Sequence, residues 1–598
     1  MPTSTRPPTR AQRPWFVFAS LQGYRGAWLR GDVVAGLTVW AVLVPESLAY
    51  ATIAGVSPVV GLYAAVPSLI LYAAFGSSRH LVVGPMSATA ALSASVVAAF
   101  RPGDDAAFVA LTTAVALVTG VLCLVAGIAR LGFLASFISE PVLKGFIVGL
   151  ALTIVIGQVP ALLGVDKGEG NFFEKLWTIL TELGTAHPLT VVLGLGSLAA
   201  VLAIKRWLPK VPGSLVVVGI GIALVLLLGL DDDGVDIVGP IQAGLPALGL
   251  PTGVDRNTWT DLVGPAAGVM LVGFAEALGA AKTYASREGY DIDANRELVG
   301  MGAANLGSGL ASGMVVNGSL SKTAVNGGAG ARSQVSGLVA AALTLLTLLF
   351  LTPVFESLPE ATLAAVVIAA VIELVDVKAL RRLYRLATPR SKALYGGAAR
   401  HDFWAALAAM LGVLVFDTLP GLVLGIVLSL FLLLDRASRP HVAVLVRSSH
   451  GVWVDRARRI ATGKDGGRGV EGALVVRVES GLFFANADTV RAAVRRLVAD
   501  ASPRVVVLDA ETVPFVDVEA AEMLVTLHRD LDRVGARLAL ARDVGQVRDV
   551  LRGAVGPDEM PPTYPDVDTA LRDLLPAAAA GSGSAGGAGE PAAGASPA

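Results

Sequence analysis

Lys322 stands in the stretch "NGSLSKTAVN" (Asn317 to Asn326), among hydroxyl-bearing and small residues, in a part of the chain that otherwise reads as membrane. An ammonium in that setting costs about 3 kcal/mol on insertion scales, a cost that is offset when an anion sits beside it. A second stretch, "VGPMSATAAL" (Val83 to Leu92), interrupts the apolar pattern in the same way. Each has a glycine, then a helix-breaking or polar residue, then Ser-x-Thr-Ala: Ser87, Thr89 and Ala90 in one, Ser321, Thr323 and Ala324 in the other. Two half-helices that begin near the bilayer midplane and face each other offer unpaired N–H groups and about half a positive charge each, a site for an anion. Two intramembrane acids accompany them. Glu46 directly follows Pro45 in "LTVWAVLVPESLAYATIAG", with Tyr50 four residues on and so on the same helical face. Glu276 lies mid-way along "PAAGVMLVGFAEALGAAKTYA", with no basic residue within a turn of its own helix. Acids so placed serve as proton relays. Pro45 lacks an N–H and is expected to break the first span in mid-membrane.

Blander readings stand beside these. Lys322 could snorkel to an interface, Glu46 or Glu276 could pair statically with it, and the serines and threonines could be helix-packing residues. Sodium is the competing coupling ion, but Val272, Gly273, Gly279 and Ala280, one turn either side of Glu276, offer no side-chain oxygen. Proton coupling is favoured.

The elements that must position these groups follow from composition. The chain has 598 residues, 54% hydrophobic and only 16% charged, with mean hydropathy +0.66, far from a soluble balance. Apolar runs able to cross roughly 30 Å of hydrocarbon recur at 32–53, 57–75, 84–100, 107–129, 133–157, 187–204, 214–230, 260–281, 294–313, 319–330, 334–352, 359–374, 400–416 and 420–434, about fourteen spans. Basic residues (Arg79, Arg130, Lys205 to Lys210, Lys282 with Arg287, Arg332, Lys378 to Arg400) fall in every second loop. Acidic loops (Gly103 to Asp105, Asp231 to Asp236, Glu356 with Glu360) alternate with them. Lysine and arginine collect on the cytoplasmic side, so both ends of the membrane region are expected inside. The two polar breaks then enter from opposite sides, as in an inverted repeat.

After Pro440 the pattern changes to strands, "ALVVRVES", "RVVVLDA" and "ARLALA", alternating with amphipathic helices at Asp488 to Ala499 and Val518 to Val534, a small α/β domain. The end, "AAAAGSGSAGGAGEPAAGASPA", is low-complexity and expected to be disordered. The organisation expected is a cytoplasmic tail over 1–31, a transport domain over 32–437, a cytoplasmic α/β domain over 438–577 and a tail over 578–598.

Several functions are disfavoured. The basic residues form short clusters rather than a stripe, against nucleic-acid binding. The single cysteine, Cys123, permits no internal disulfide. There is no phosphate-loop motif, since "TGKDGG" lacks both spacing and hydroxyl. The six histidines lack metal-ligand spacing. No enzyme activity and no cofactor are expected, and secondary transport is left.

At these residues the chain closely resembles the SulP (sulfate permease) family of anion transporters. The resemblance runs from about Asp32 to Leu574 and is carried by Val44 to Pro85, by "REGYDIDANRELVGMGAANLGSG" (Arg287 to Gly309) and by Asn317 to Gly337. It implies two intertwined inverted repeats of seven spans, a core domain moving against a gate domain, and a homodimer. It implies substrate contacts from Glu46 and Tyr50 on the first span, from Met86, Ser87 and Ala88 at the start of the third, and from Ser321, Lys322 and Thr323 on the tenth. Glu276 matches the acid linked to cation coupling. Two departures stand out. Lys322 replaces the usual arginine, so a point charge replaces a bidentate fork, and Glu46 stands where many members carry glutamine. The C-terminal domain resembles the STAS domain, in whose bacterial relatives a phosphorylatable serine follows the aspartate matching Asp517; here Val518 follows it. No phospho-switch is expected there, which leaves packing, dimer contacts or a cytoplasmic protein partner.

The expectation is a multi-pass protein of the plasma or inner membrane that moves a small oxyanion, sulfate first, with a proton by elevator-like alternating access. Bicarbonate or a dicarboxylate, coupled to sodium or protons, is the alternative substrate. A nucleobase-type permease of the same general fold and a membrane sensor signalling through the STAS domain are the alternatives of other classes.

Overall fold

The computed structural model describes residues 17–575 except 101, 134–138, 167, 169, 209–210, 240–243, 373–374, 376, 387–397, 417, 462–466 and 555–558. The expected tail 578–598 and the first sixteen residues lie outside the described residues. Each expected span coincides with a helix. The first five are α1 (Leu29–Ile53), α2 (Pro58–Phe75), α3 (Ser87–Ala99), α4 (Asp105–Ile128) and α5 (Glu140–Leu163). After the amphipathic α6 (Phe172–Glu182) come α7 (Pro188–Trp207) and α8 (Gly213–Leu228). The short α9 (Arg256–Asp261) leads into α10 (Val263–Glu288), α11 (Ala294–Leu310), α12 (Leu320–Gly328), α13 (Val335–Leu346) and α14 (Glu360–Val371). A basic amphipathic α15 (Val377–Leu386) precedes α16 (Ala398–Phe416) and α17 (Thr418–Ser438). Among the described residues eight helices are long and apolar enough to cross a membrane by length and composition. The shorter α3 and α12 are the two that begin in the polar breaks.

Pro45 does not break α1, contrary to the sequence expectation. The helix runs unbroken from Leu29 to Ile53 with Pro45 inside it. Proline removes one hydrogen bond, to the carbonyl four residues back, and the dense burial from Leu43 to Ala51 holds the helix across that gap. Close approach of α2 contributes. A Cβ built on Gly61 would lie 1.9 Å from the Ser47 carbonyl oxygen, so only glycine lets α2 touch α1 one residue past Glu46.

Backbone packing closes the helical unit at Leu430 and starts a second unit at Phe431. The second unit contains a six-stranded sheet: β3 (Val442–Arg447), β4 (Trp453–Asp455), β5 (Ala473–Val478), β6 (Val505–Asp509), β7 (Arg537–Ala541) and β8 (Thr563–Tyr564). The helical unit contains the two preceding strands, β1 (Val82–Gly84) and β2 (Asn317–Ser319). Strand order is β4-β3-β5-β6-β7-β8, with β5 to β8 parallel and β3 antiparallel to β5. Further helices include α18 (Arg456–Ala461), α19 (Ala487–Ala501), α20 (Val518–Arg533), α21 (Gly545–Ala554) and α22 (Val567–Leu574). The all-buried β6 explains the apolar run "VVVL", since parallel strands are covered on both faces. At its end Asp509, fully buried, receives Arg477 (Nη2 at 2.6 Å) and Arg542 (Nε at 3.0 Å), which closes the carboxyl edge of the sheet. Asp517 caps α20 by accepting from Ala520 N at 2.8 Å, and Val518 beside it is exposed.

The Gly61 contact yields a test. Gly61→Ala must push α2 off α1 at a cost of about 1–3 kcal/mol, lowering the unfolding temperature of the purified chain; an unchanged melting curve contradicts the close approach.

Candidate functional site

Two three-residue strands organise the site. Val82–Gly84 pairs antiparallel with Asn317–Ser319, with Val82 opposite Ser319 and Gly84 opposite Asn317. Helix α3 follows the first strand after Pro85 and Met86, and α12 follows the second directly. Because the strands run in opposite senses, the two helices start from opposite ends of one short ladder and leave in opposite directions. Side chains lock the crossing: Thr323 Oγ1 donates to the Ser319 carbonyl (2.5 Å) and accepts from Val82 N (3.1 Å). Asn326 Nδ2 donates to the His80 carbonyl (2.9 Å), and Gln334 Nε2 donates to the carbonyls of Ser78 (3.0 Å) and Leu81 (2.9 Å). The two N-termini differ. Ser319 Oγ accepts from Lys322 N at the start of α12 (3.3 Å), whereas no side chain caps α3 at Met86.

Lys322 is 1% exposed, so it does not snorkel to a rim. Its Nζ donates to the Pro85 carbonyl at 2.8 Å, pairs with Glu46 Oε2 at 3.1 Å and lies 4.9 Å from the centroid of the Tyr50 ring. The carboxylate, the carbonyl and the ring face all favour a positive charge. The ammonium's burial is thus offset by groups of the chain itself, not by an anion alone. Glu46 and Tyr50 reach it together because they share one face of α1. Glu46 is 7% exposed, and desolvation makes such a pair expensive to break from either side.

The remaining residues singled out in the sequence separate into groups. Ser321 is exposed to a cavity of about 360 Å³ that Glu46, Thr38 and Val42 of α1, Ala369 of α14, and Lys205 and Pro212 also line. Met86, Ser87 and Ala88 are buried at the start of α3; Met86 directly follows the Pro85 carbonyl that Lys322 holds. Thr323 faces the strand crossing, and its hydroxyl is committed there. Glu276 is not brought to Lys322. It accepts from Asn317 Nδ2 at 3.3 Å, and Gly273, one turn earlier on α10, packs against the same asparagine. Asn317 and the Pro85 carbonyl are site groups that sequence reasoning missed. Their positions at the head of "NGSLSK" and just before "MSATA" were the available signal.

A second cavity of about 300 Å³ lies at the other end of α1, lined by Thr52 and Val56 together with Gln158, Val238, Glu360 and Leu363. Both cavities run along the α1–α14 contact, and between them Ala365 and Ile368 of α14 are buried. Glu46 thus lines the first cavity, and Thr52, six residues further along α1, lines the second.

Residues 29–392 match the Sulfate permease family, and residues 468–570 match the STAS domain. The chain belongs to the sulfate permease family. A probable sulfate transporter of Mycobacterium tuberculosis is 36% identical over 565 residues, covering 92% of this chain and 96% of that protein. Sulfate transporter 1.3 of Arabidopsis thaliana is 31% identical over 543 residues, covering 86% and 79%. Among solved structures, the murine Slc26a9 anion transporter in the inward-facing state superposes with a TM-score of 0.79 at 22% identity over 92% of each chain. The transmembrane domain of a cyanobacterium bicarbonate transporter, BicA, superposes with a TM-score of 0.57 at 24% identity, covering 68% of this chain and 98% of that one. This sulfate permease family member is a multi-pass membrane anion transporter with a C-terminal STAS domain, not an enzyme.

The ion pair makes a quantitative prediction. Lys322→Met leaves a buried carboxylate unpaired at a cost of about 3–5 kcal/mol, while Lys322→Met with Glu46→Gln removes both charges and restores most of the lost stability. Thermal unfolding of the four proteins gives the coupling; additive losses would refute it.

Proposed function

We propose that the chain is a proton-coupled sulfate transporter of the cell membrane working by alternating access, with the anion site at Lys322. The observation that carries this reading is the Lys322–Glu46 pair, whose Glu46 lines a cavity together with Ser321. An anion arriving through that cavity meets Glu46 before it can reach the ammonium. A carboxylate about 4 Å from a singly charged anion repels it by about 4 kcal/mol at an effective dielectric constant near 20, and the dianion sulfate by about 8 kcal/mol, roughly a thousandfold in affinity for the former and a millionfold for the latter. Protonating Glu46 removes that repulsion and releases the ammonium. Proton and anion then each raise the other's affinity, which linkage requires to be reciprocal.

In the loaded state Lys322 supplies the full charge, Ser321 a hydroxyl, and Ser87 and Ala88 the uncapped backbone donors at the start of α3, with Tyr50 closing the site beside the ammonium. Glu276 is a second proton carrier, connected through Asn317 to the strand that leads into α12. The two vestibules along α1 and α14 support alternating access: the core carrying α1, α3, α10 and α12 slides against the α14 side, so that one vestibule closes as the other deepens. The basic Lys205 beside the larger cavity fits a cytoplasmic opening, with the N-terminus and STAS domain on that side, and the transporter works as a homodimer. The relatives named as sulfate transporters put sulfate first among the substrates.

Uptake of radiolabelled sulfate into proteoliposomes, with and without an inward proton gradient, tests this against bicarbonate, fumarate and chloride competitors. Lys322→Ala should abolish uptake, and Glu46→Gln or Glu276→Gln should keep sulfate binding while flattening the dependence on the proton gradient. Gradient-independent uptake by the unaltered protein, or full uptake by Lys322→Ala, contradicts the reading.

A further inference from the structure

Asn317 leaves one end of its amide unused. Its Nδ2 donates to Glu276 Oε2 at 3.3 Å, while its Oδ1 has no hydrogen-bond partner among the described residues, although the side chain is fully buried. That oxygen faces α10, where a Cβ built on Gly273 would lie 3.4 Å from it. Thr119 on α4 is in the same condition: it is 2% exposed, and its Oγ1 has no partner among the described residues. Threonines elsewhere in the spans spend the hydroxyl on the carbonyl four residues back, as Thr38, Thr153, Thr283 and Thr344 do. Thr119 does not, so its hydroxyl stays available to a neighbour outside its own helix.

Both side chains line one small cavity, together with Thr89 of α3, Cys123 of α4 and Gly273 of α10. Every residue that lines it is buried. About 10 Å³ is open to the centre of a water-sized sphere, which is room for one water molecule and nothing larger. Buried polar atoms rarely go without partners, and a single water serves both of these. It donates to the amide oxygen, which can only accept, and it meets a hydroxyl that can donate or accept. The buried Cys123 thiol offers a weak third partner. No carboxylate lines the cavity, so it offers a cation no compensating charge.

We propose that one buried water sits in this cavity between Asn317 Oδ1 and Thr119 Oγ1, and that Thr119 acts through it as a positioning residue for Asn317. With the water donating to Oδ1, the amide keeps its Nδ2 toward Glu276, which suits an ionised carboxylate. A protonated Glu276 presents an O–H instead, and that needs the oxygen end of the amide. The water therefore biases Glu276 toward releasing its proton. This consequence rests on the proposed role of Glu276 as a proton carrier; the water site itself does not. Among the described residues the one side-chain hydrogen bond of Glu276 comes from Asn317. The charged groups on the elements packed against α10 are Lys322 on α12, Arg296 and Glu297 on α11, Asp105 at the outer start of α4, and Arg256 with Asp261 on α9; α3 and β2 carry none. Of these, Lys322 is held by Glu46 and the Pro85 carbonyl, and Glu297 by Tyr72, Ser77 and Ser78.

Cryo-electron microscopy of the full-length protein, at a resolution that shows ordered water, tests the site. A single peak is expected about 2.8 Å from both Asn317 Oδ1 and Thr119 Oγ1. Thr119→Val, which keeps the shape and drops the hydroxyl, should lose the peak, and Thr119→Ser should keep it. In proteoliposomes the midpoint of the pH profile of sulfate uptake should rise by about half to one unit in Thr119→Val, the weight of one hydrogen bond, and return in Thr119→Ser. An unaltered protein with nothing at that position, or with a peak drawn in to cation–oxygen distance, overturns the water. An unchanged profile in Thr119→Val overturns the positioning role. Uptake by the unaltered protein that ignores the proton gradient is a failure of proton coupling and takes the positioning role with it, while the peak, which needs no transport, still decides the site.

Discussion

A buried ammonium governs the design of this transporter. Lys322 is held by a carboxylate, a carbonyl oxygen and an aromatic face, contributed by α1 and by the residue between the first short strand and α3. A buried pair of this kind adds little net stability, because desolvating both charges cancels most of their attraction, but removing one partner strands the other. Its value to a carrier lies there. On the proposed reading, the resting site is electrically satisfied, and any ligand that takes the ammonium must first deal with Glu46.

The scaffold around the pair is tied together by backbone and side-chain hydrogen bonds. Antiparallel pairing of Val82–Gly84 with Asn317–Ser319 fixes two helix starts against each other, and Thr323, Asn326 and Gln334 tie the crossing through side chain to backbone bonds. With those donors committed, α3 and α12 cannot drift apart without breaking several buried hydrogen bonds, each of which would leave a polar group unsatisfied in a low-dielectric interior. The site therefore moves as a block or not at all. On the proposed reading, such rigidity would confine motion to the α1–α14 seam.

Much of this was legible in the sequence, for identifiable reasons. Spans were found because burial in lipid imposes length and composition, and the opposed half-helices because glycine, proline and hydroxyl residues interrupt two apolar runs alike. Glu46 and Tyr50 could be placed on one face by helical spacing. Their meeting with Lys322 could not, since nothing local encodes contact between residues 46 and 322. Pro45 misled because a proline's local cost was read without the packing that overrides it, above all the approach of Gly61 to Ser47. Thr323 resembled an anion ligand because a free hydroxyl and a hydroxyl spent on the backbone look identical in a sequence. The start of the amphipathic α6 is encoded locally, since Asn171 and Glu174 form a reciprocal capping box there.

On the proposed reading, charge conservation explains why the site would hold two acids and one base. A net charge added to the moving block costs or gains about 2.3 kcal/mol per 100 mV of membrane potential, so a carrier whose loaded and empty forms differ in charge has its cycle biased by voltage. A monovalent anion entering with one proton, on Glu46, leaves the block's charge unchanged. A dianion needs two protons, and Glu276, coupled through Asn317 to the strand that leads into α12, is the second place to put one. Lysine in place of arginine suits the same logic. Its compact ammonium offers donors without a fixed fork and can pass from the Glu46 carboxylate to an anion by a small rotation of its stem, whereas a guanidinium bound bidentately would have to abandon two aligned bonds at once.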